Sequence, residues 1–149
     1  MPDHNSFTQD QIDAVREVVV KASLVLQAAY EGIAKGCIDM TLGDKRVLNL
    51  IAAKSDLILR DIREALGMPN STLTGAIDRL EERGLVRRVI SKRDRRSYGL
   101  NLTPGGKAYM ALQETAEKEF AVQILRTLDT DQERLAFVEI LSKVVSRLA

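Results

Sequence analysis

The sequence predicts a mainly α-helical fold with one small β-hairpin, an α+β arrangement. Two observations carry this prediction: apolar residues recur at spacings of three and four along most of the chain, and only residues 85–102 alternate like paired strands. The chain has 149 residues, 45% of them hydrophobic, which is enough for one core. Its single cysteine, Cys37, excludes an internal disulfide, and its longest charge-free run has 13 residues where a membrane span needs about 20. We therefore expect residues 1–149 to form a single chain that is located in the cytoplasm and does not cross a membrane.

The first helix is marked by a capping box, Thr8 followed by Gln11, and is predicted to run from about residue 9 to about residue 35. Its apolar residues keep one stripe aligned for about three heptads. They are Ile12, Val15, Val19, Ala22, Leu26, Ala29 and Ile33.

The C-terminal third is also helical. Pro104 is expected at the first position of a long helix, and Thr130 with Glu133 forms a second capping box before a last helix. We predict that residues 8–36 and 104–149 are dimerisation helices of a homodimer, although an ordinary core within one chain is the alternative. The predicted interface residues are Ile12, Val15, Val19, Leu135, Val138, Leu141 and Val145.

The middle of the chain, residues 41–102, predicts a compact lobe. Thr41 with Asp44 can open a helix through residue 53, and a second short helix is expected over residues 59–66. Gly67 ends that helix, and a third follows over residues 70–83 with Gly84 just beyond it. Two helices joined by a short turn that contains glycine form a helix-turn-helix.

The hairpin after these helices has a basic tip. Residues 85–91 and 97–102 have strand propensity, and the 14 residues from Arg83 to Arg96 carry a charge of +6, so the rest of the chain carries −5. A solvated charged loop would explain the charge equally well. Together with the helix-turn-helix, however, the hairpin predicts a winged helix-turn-helix, a fold whose helix and wing can bind double-stranded DNA.

Several runs in this region resemble the multiple antibiotic resistance regulator (MarR) family. They are residues 66–74 (LGMPNSTLT), 78–88 (DRLEERGLVRR), 94–96 (DRR) and 102–106 (LTPGG). The resemblance covers the chain from about residue 8 and implies a homodimeric transcription regulator, usually a repressor, that responds to a small-molecule effector. The chain departs from the pattern at Arg63, where a small buried residue is common, at Pro69, where a polar cap is usual, and at Gly75, where a larger contacting side chain is frequent.

The candidate DNA contacts fall into two groups. Those of the recognition helix are Asn70, Ser71, Thr72, Thr74, Gly75 and Arg79, and those of the wing are Lys92, Arg93, Asp94, Arg95 and Arg96. Asn70 and Ser71 could instead cap the helix, Gly75 either allows a close backbone approach or is tolerated, and Arg79 could pair with Glu82 rather than contact a phosphate.

Within the wing, Arg96 is expected to enter the minor groove, as the family resemblance implies, and Asp94 to orient a neighbouring arginine. Arg87 and Arg88 are adjacent on a strand, so at most one of them faces the duplex.

Other functions receive less support. The sequence has one histidine and no phosphate-binding loop, nucleophile elbow or metal-spaced cluster, so we predict no enzyme, cofactor or metal. A winged helix that binds protein instead of DNA remains an alternative, and it would be expected to expose apolar residues on the wing. Cys37 could sense oxidation, but its neighbourhood favours an inert thiol.

Overall fold

The computed structural model describes residues 7–34, 40–54, 57–92 and 95–148. Its elements follow the order α1 (Gln9–Ile33), α2 (Leu42–Ala53), β1 (Leu57–Ile58), α3 (Leu59–Leu66), α4 (Asn70–Glu82), β2 (Val86–Ile90), β3 (Tyr98–Leu102), α5 (Pro104–Arg126) and α6 (Asp131–Leu148). The predicted fold class is confirmed. Cys37, Arg93 and Asp94 lie outside the described residues.

The predicted starts of α1 and α6 are confirmed by their caps. Thr8 and Gln11 form the reciprocal capping box of α1. At α6, the Thr130 hydroxyl accepts from the Glu133 amide while the Glu133 carboxylate accepts from the Thr130 amide. Hydrogen bonds from the backbone amides of Thr130 and Asp129 lower the pKa of Glu133. Each cap satisfies amides that a helix start would otherwise leave without a partner.

The breaks around α4 are made by glycine. Gly67 ends α3 at φ 61°, and Gly84 follows α4 at φ 67°. Both lie in the left-handed region that a side chain disfavours, so the turn of the helix-turn-helix and the entry into the wing are each set by one residue type.

The sheet has three strands in the order β1-β3-β2, all antiparallel. The predicted hairpin is β2-β3, with Val86 opposite Leu102 and Ile90 opposite Tyr98. The sequence did not predict β1, whose two residues are too few to show a period and are defined by their pairing with Leu100 and Gly99.

The chain divides into two compact units, residues 36–115 and residues 1–35 with 116–149. In the first unit, α2, α3, α4 and the sheet enclose a core in which Val47, Leu48, Ile62, Ile77 and Leu100 are fully buried. Such a core anchors α4 through one face only and leaves the other face to solvent.

The second unit contains α1, α6 and the C-terminal part of α5. The Tyr30 and Phe120 rings meet edge to face with centroids 5.6 Å apart, and the Arg134 guanidinium donates to the carbonyls of Leu125 and Leu128 at the end of α5. These contacts fix the helix ends, while the apolar stripes of α1 and α6 contain no buried residue.

Candidate nucleic-acid interface

The recognition helix α4 has one buried and one exposed face. Leu73, Ile77 and Leu80 are buried in the core. The exposed residues at its start are Asn70, Ser71, Thr72 and Thr74. This face therefore presents the short amide and hydroxyl groups that the sequence proposed as DNA contacts; their contact with DNA stays a prediction.

The start of α4 has no side-chain cap, because Pro69 occupies the N-cap position. The capping alternative for Asn70 and Ser71 is thus wrong. Instead, the Asn70 Oδ1 accepts a hydrogen bond from Arg63 Nη1 at 3.3 Å. The amide of Asn70 is oriented by α3 and not by the backbone of its own helix.

Arg79 is held in place by the buried carboxylate of Asp44. Its Nη2 donates to Asp44 Oδ1 at 2.7 Å, and its Nε lies 3.2 and 3.1 Å from the two carboxylate oxygens. The Asp44 side chain is 1% exposed and that of Arg79 is 44% exposed. Glu82, the partner suggested by the sequence, acts on Arg79 only as a nearby charge. The pair joins α2 to the recognition helix.

The electrostatics of this pair are dominated by two opposing effects. Burial raises the pKa of Asp44, but hydrogen bonds from Arg79 and Thr41 and the charge of Arg79 outweigh burial, so the pKa is lowered overall. The hydrogen bond to Asp44 raises the pKa of Arg79. Both groups are ionised at neutral pH.

Asp44 is a site residue that the sequence indicated only as part of a helix start. Thr41 does cap α2 by accepting from the Asp44 amide, but the Asp44 carboxylate is directed to α4. A signal was present: Asp44 precedes the buried residues Val47 and Leu48 by three and four positions, so it lies on the inward face of α2. A carboxylate on such a face requires a cation.

Gly75 lies beside this ion pair. A Cβ at Gly75 would come within 3.3 Å of Arg79 Nη1. This contact is tighter than ordinary van der Waals packing, but Nη1 ends a flexible side chain that a small shift would move away.

Arg88 connects the wing to the recognition helix. Its Nη2 donates to Asp78 Oδ1 at 2.8 Å, its Nη1 donates to Glu81, and its backbone amide donates to Glu81 Oε1 at 3.0 Å. Arg88 is thus the strand residue that faces α4, and Arg87 points to the opposite side. The contacts also offset half of the negative charge that Asp78 and Glu81 place on the DNA-reading element.

The wing tip carries exposed cations. The hairpin closes with a hydrogen bond from the Ser91 amide to the Ser97 carbonyl at 3.0 Å, and Lys92, Arg95 and Arg96 are exposed beyond it. Arg93 and Asp94 are not among the described residues, so the predicted ion pair of Asp94 has no structural description.

The comparisons with known proteins agree with this geometry. Residues 38–97 match the sequence model of the MarR family. The matched segment contains the helix-turn-helix and β2, so this part of the chain is similar to the MarR family. Over 70 residues, 47% of this chain, it is 40% identical to the uncharacterized HTH-type transcriptional regulator YfiV of Bacillus subtilis (strain 168). The match covers 44% of YfiV, so the chain spans less than half the length of that relative.

Several solved structures share the fold, and two of them illustrate the match. YusO from Bacillus subtilis superposes with a TM-score of 0.73 at 23% identity, over 94% of this chain and 99% of its own. The transcriptional repressor CouR, solved bound to a 23-mer DNA duplex, gives 0.66 at 23% identity, over 95% of this chain and 99% of its own. At this identity the likeness establishes a MarR-like winged-helix fold.

One of the MarR-like motifs has a direct steric explanation. The Thr103 hydroxyl is the hydrogen-bond donor to the carbonyl oxygens of Gly84 and Leu85. A Cβ at Gly106 would meet the Leu85 carbonyl oxygen at 2.0 Å. The threonine and glycine of residues 102–106 therefore allow the start of α5 to pack directly on the end of the recognition helix.

The described residues give two further findings. None of their helices is both long enough and apolar enough to cross a bilayer. Among these same residues, no three His, Cys, Asp or Glu side chains are grouped to hold a metal ion.

Proposed function

We propose that the chain is a transcription regulator that binds double-stranded DNA, sequence-specifically and as a homodimer, at a pseudo-palindromic operator. One observation carries the proposal: a single compact unit exposes both the polar face of α4 and the wing-tip cations Lys92, Arg95 and Arg96. Phosphate contacts by such cations supply affinity, and short polar side chains at the start of a recognition helix reach base edges. The MarR relationship supports the same assignment.

A second copy of the chain is the proposed partner of α1 and α6. Neither helix has a buried residue, and the seven predicted interface residues are all exposed in the single chain. Along α1, a groove of about 800 Å³ is lined mostly by Phe7, Ile12, Val15 and Val19. Apolar faces of this extent are typical of protein interfaces, and a twofold dimer would present two recognition helices to half-sites about 34 Å apart.

The regulatory part of the proposal rests on the family relationship. We propose that the chain is a repressor whose DNA binding responds to a small-molecule effector, that it acts in the cytoplasm and that it has no catalytic activity. Its support is the MarR match and the likeness to CouR, which is described as a transcriptional repressor.

A protein-binding winged helix is the second candidate, and one observation favours it. Ile90 and Tyr98 face each other across the wing strands and are 67% and 60% exposed. This is the apolar wing surface that such a module requires. The cations beyond this pair favour DNA.

Duplex binding over a range of salt concentrations distinguishes the two candidates. We expect the chain to bind a random-sequence duplex in dilute salt. Replacement of Lys92, Arg95 and Arg96 by glutamine should reduce the slope of log affinity against log salt by about 0.9 for each phosphate that the variant no longer neutralises. Lys143→Gln removes one positive charge from α6 and is the control matched to each single wing replacement; for it the slope should not change. Absence of duplex binding, or an unchanged slope in the wing variant, would overturn the proposal.

A further inference from the structure

We propose that Arg63 sets the base preference of this chain. By donating to the oxygen of Asn70 and adding donors of its own, it forms a side-chain pair in which donors outnumber acceptors, and this pair selects guanine over adenine beneath the start of α4. This inference rests on the proposed DNA binding and names the residues that determine its base specificity.

The pair lies in a cleft between α3 and α4. The cleft has a volume of about 440 Å³ and is lined by Leu59, Arg60, Arg63, Asn70, Leu73 and Thr74. Arg63 Nη1 donates to Asn70 Oδ1 at 3.3 Å across this cleft. Asn70 and Thr74 are one helical turn apart and both exposed, so Arg63 and Asn70 open onto the surface that α4 presents to a groove.

The chemistry of the two side chains determines the orientation of the amide. A guanidinium has donors and no acceptor, so the atom of Asn70 that faces Arg63 must be the oxygen. The amide nitrogen, with two N–H groups, is then directed elsewhere. The oxygen keeps one further lone pair, whereas the remaining groups of Arg63 and the amide nitrogen of Asn70 are all donors.

A pair in which donors predominate distinguishes the two purines. An asparagine that reads adenine accepts from N6 through its oxygen and donates to N7 through its nitrogen. Arg63 competes for that oxygen. Guanine presents two acceptors in the major groove, O6 and N7, which match two donors, whereas the N6 amino group of adenine would meet a donor.

The neighbouring Arg60 is a cation that we expect to have no part in base selection. It lines the same cleft, but its Nε lies 4.0 Å from Glu64 on its own helix, and it is more exposed than Arg63. Loss of Arg60 removes the same charge from the same surface and leaves the bond between Arg63 and Asn70 in place. It is therefore the matched control for Arg63.

The test is selection of bound duplexes from a random-sequence library by the full chain and three variants: Asn70→Ala, Arg63→Ala and Arg60→Ala. The position that Asn70 reads is the one whose preference disappears in Asn70→Ala. There we expect the unsubstituted chain to select guanine and Arg63→Ala to lower the guanine-to-adenine ratio by about 5- to 150-fold, the range of one bidentate base contact. Arg60→Ala should reduce affinity equally for all sequences and leave every base preference unchanged.

Several outcomes would overturn the inference. One is adenine selected by the unsubstituted chain at the Asn70 position, and another is a base preference that Arg63→Ala leaves unchanged. A third is an Arg63→Ala variant that loses affinity uniformly, as a phosphate contact would. Arg63→Gln, which restores an acceptor, provides a second variant with the same expected loss of guanine preference if Arg63→Ala does not fold. Failure of the unsubstituted chain to bind any duplex would instead refute the proposed function itself.

Discussion

Removing the two members of the Asp44–Arg79 pair should have unequal effects on stability. Arg79→Ala leaves the Asp44 carboxylate, 1% exposed, without its cation, whereas Asp44→Asn leaves a guanidinium that is 44% exposed and able to be hydrated. Stranding a buried carboxylate costs about 3–5 kcal/mol, and we expect about 3 because the site opens to solvent on the Arg79 side. Loss of charged hydrogen bonds in Asp44→Asn should cost about 1.5–2 kcal/mol.

The pH dependence of stability provides a second test of the same pair. The pKa of Asp44 is lowered in the folded chain, so its contribution is present above the unfolded value of about 3.9 and is lost as the pH falls through the lower folded value. In Arg79→Ala, burial still raises the pKa of Asp44 and only the Thr41 hydrogen bonds oppose it, so the pKa is higher than in the unsubstituted chain and protonation costs the variant less stability. The difference in the free energy of unfolding between the unsubstituted chain and Arg79→Ala should therefore become smaller below about pH 4.

Urea denaturation at one fixed protein concentration measures these differences, with the double variant completing a mutant cycle. We expect Asp44→Asn to recover part of the stability that Arg79→Ala loses. Equal costs for the two single variants, strict additivity in the double variant or a gap independent of pH would refute the reasoning.

Three further predictions concern packing, DNA binding and assembly. Gly106→Ala, whose Cβ would meet the Leu85 carbonyl oxygen at 2.0 Å, should cost about 1–3 kcal/mol in urea denaturation. Gly32→Ala in α1, with no atom within 4 Å of the new Cβ, should be neutral or stabilising; a reversed order would contradict the steric argument. Arg96→Ala should weaken binding in a gel shift at fixed salt while the dimer persists, and an unchanged affinity would refute the assignment of the wing. Val19→Glu should convert the dimer to monomer in sedimentation equilibrium because it places a charge in the apolar face of α1; an unaltered mass would place the interface elsewhere.

Much of the fold could be predicted from the sequence because its signals are local. Capping boxes and two glycines define where helices begin and end within a few residues, and these signals do not depend on distant contacts. The exposed polar start of α4 followed in the same way from the spacing of Leu73, Ile77 and Leu80.

The features of the structure that the sequence did not predict depend on contacts between residues far apart in the chain. The partner of Arg79 is 35 positions away, so the nearer Glu82 was the only candidate that helical spacing could suggest. Tyr98 alternates correctly with Leu100, yet it is exposed because the hairpin extends past the core that covers Leu100. The bond between Arg63 and Asn70 likewise depends on how α3 and α4 pack.

Hydroxyl-radical footprinting on a duplex recovered by selection tests the central claim most directly, because it detects both contact with DNA and twofold symmetry. We expect two equivalent protected segments, related by a twofold axis, with centres about 10 base pairs apart. A single unsymmetrical segment, or no protection in dilute salt, would contradict it.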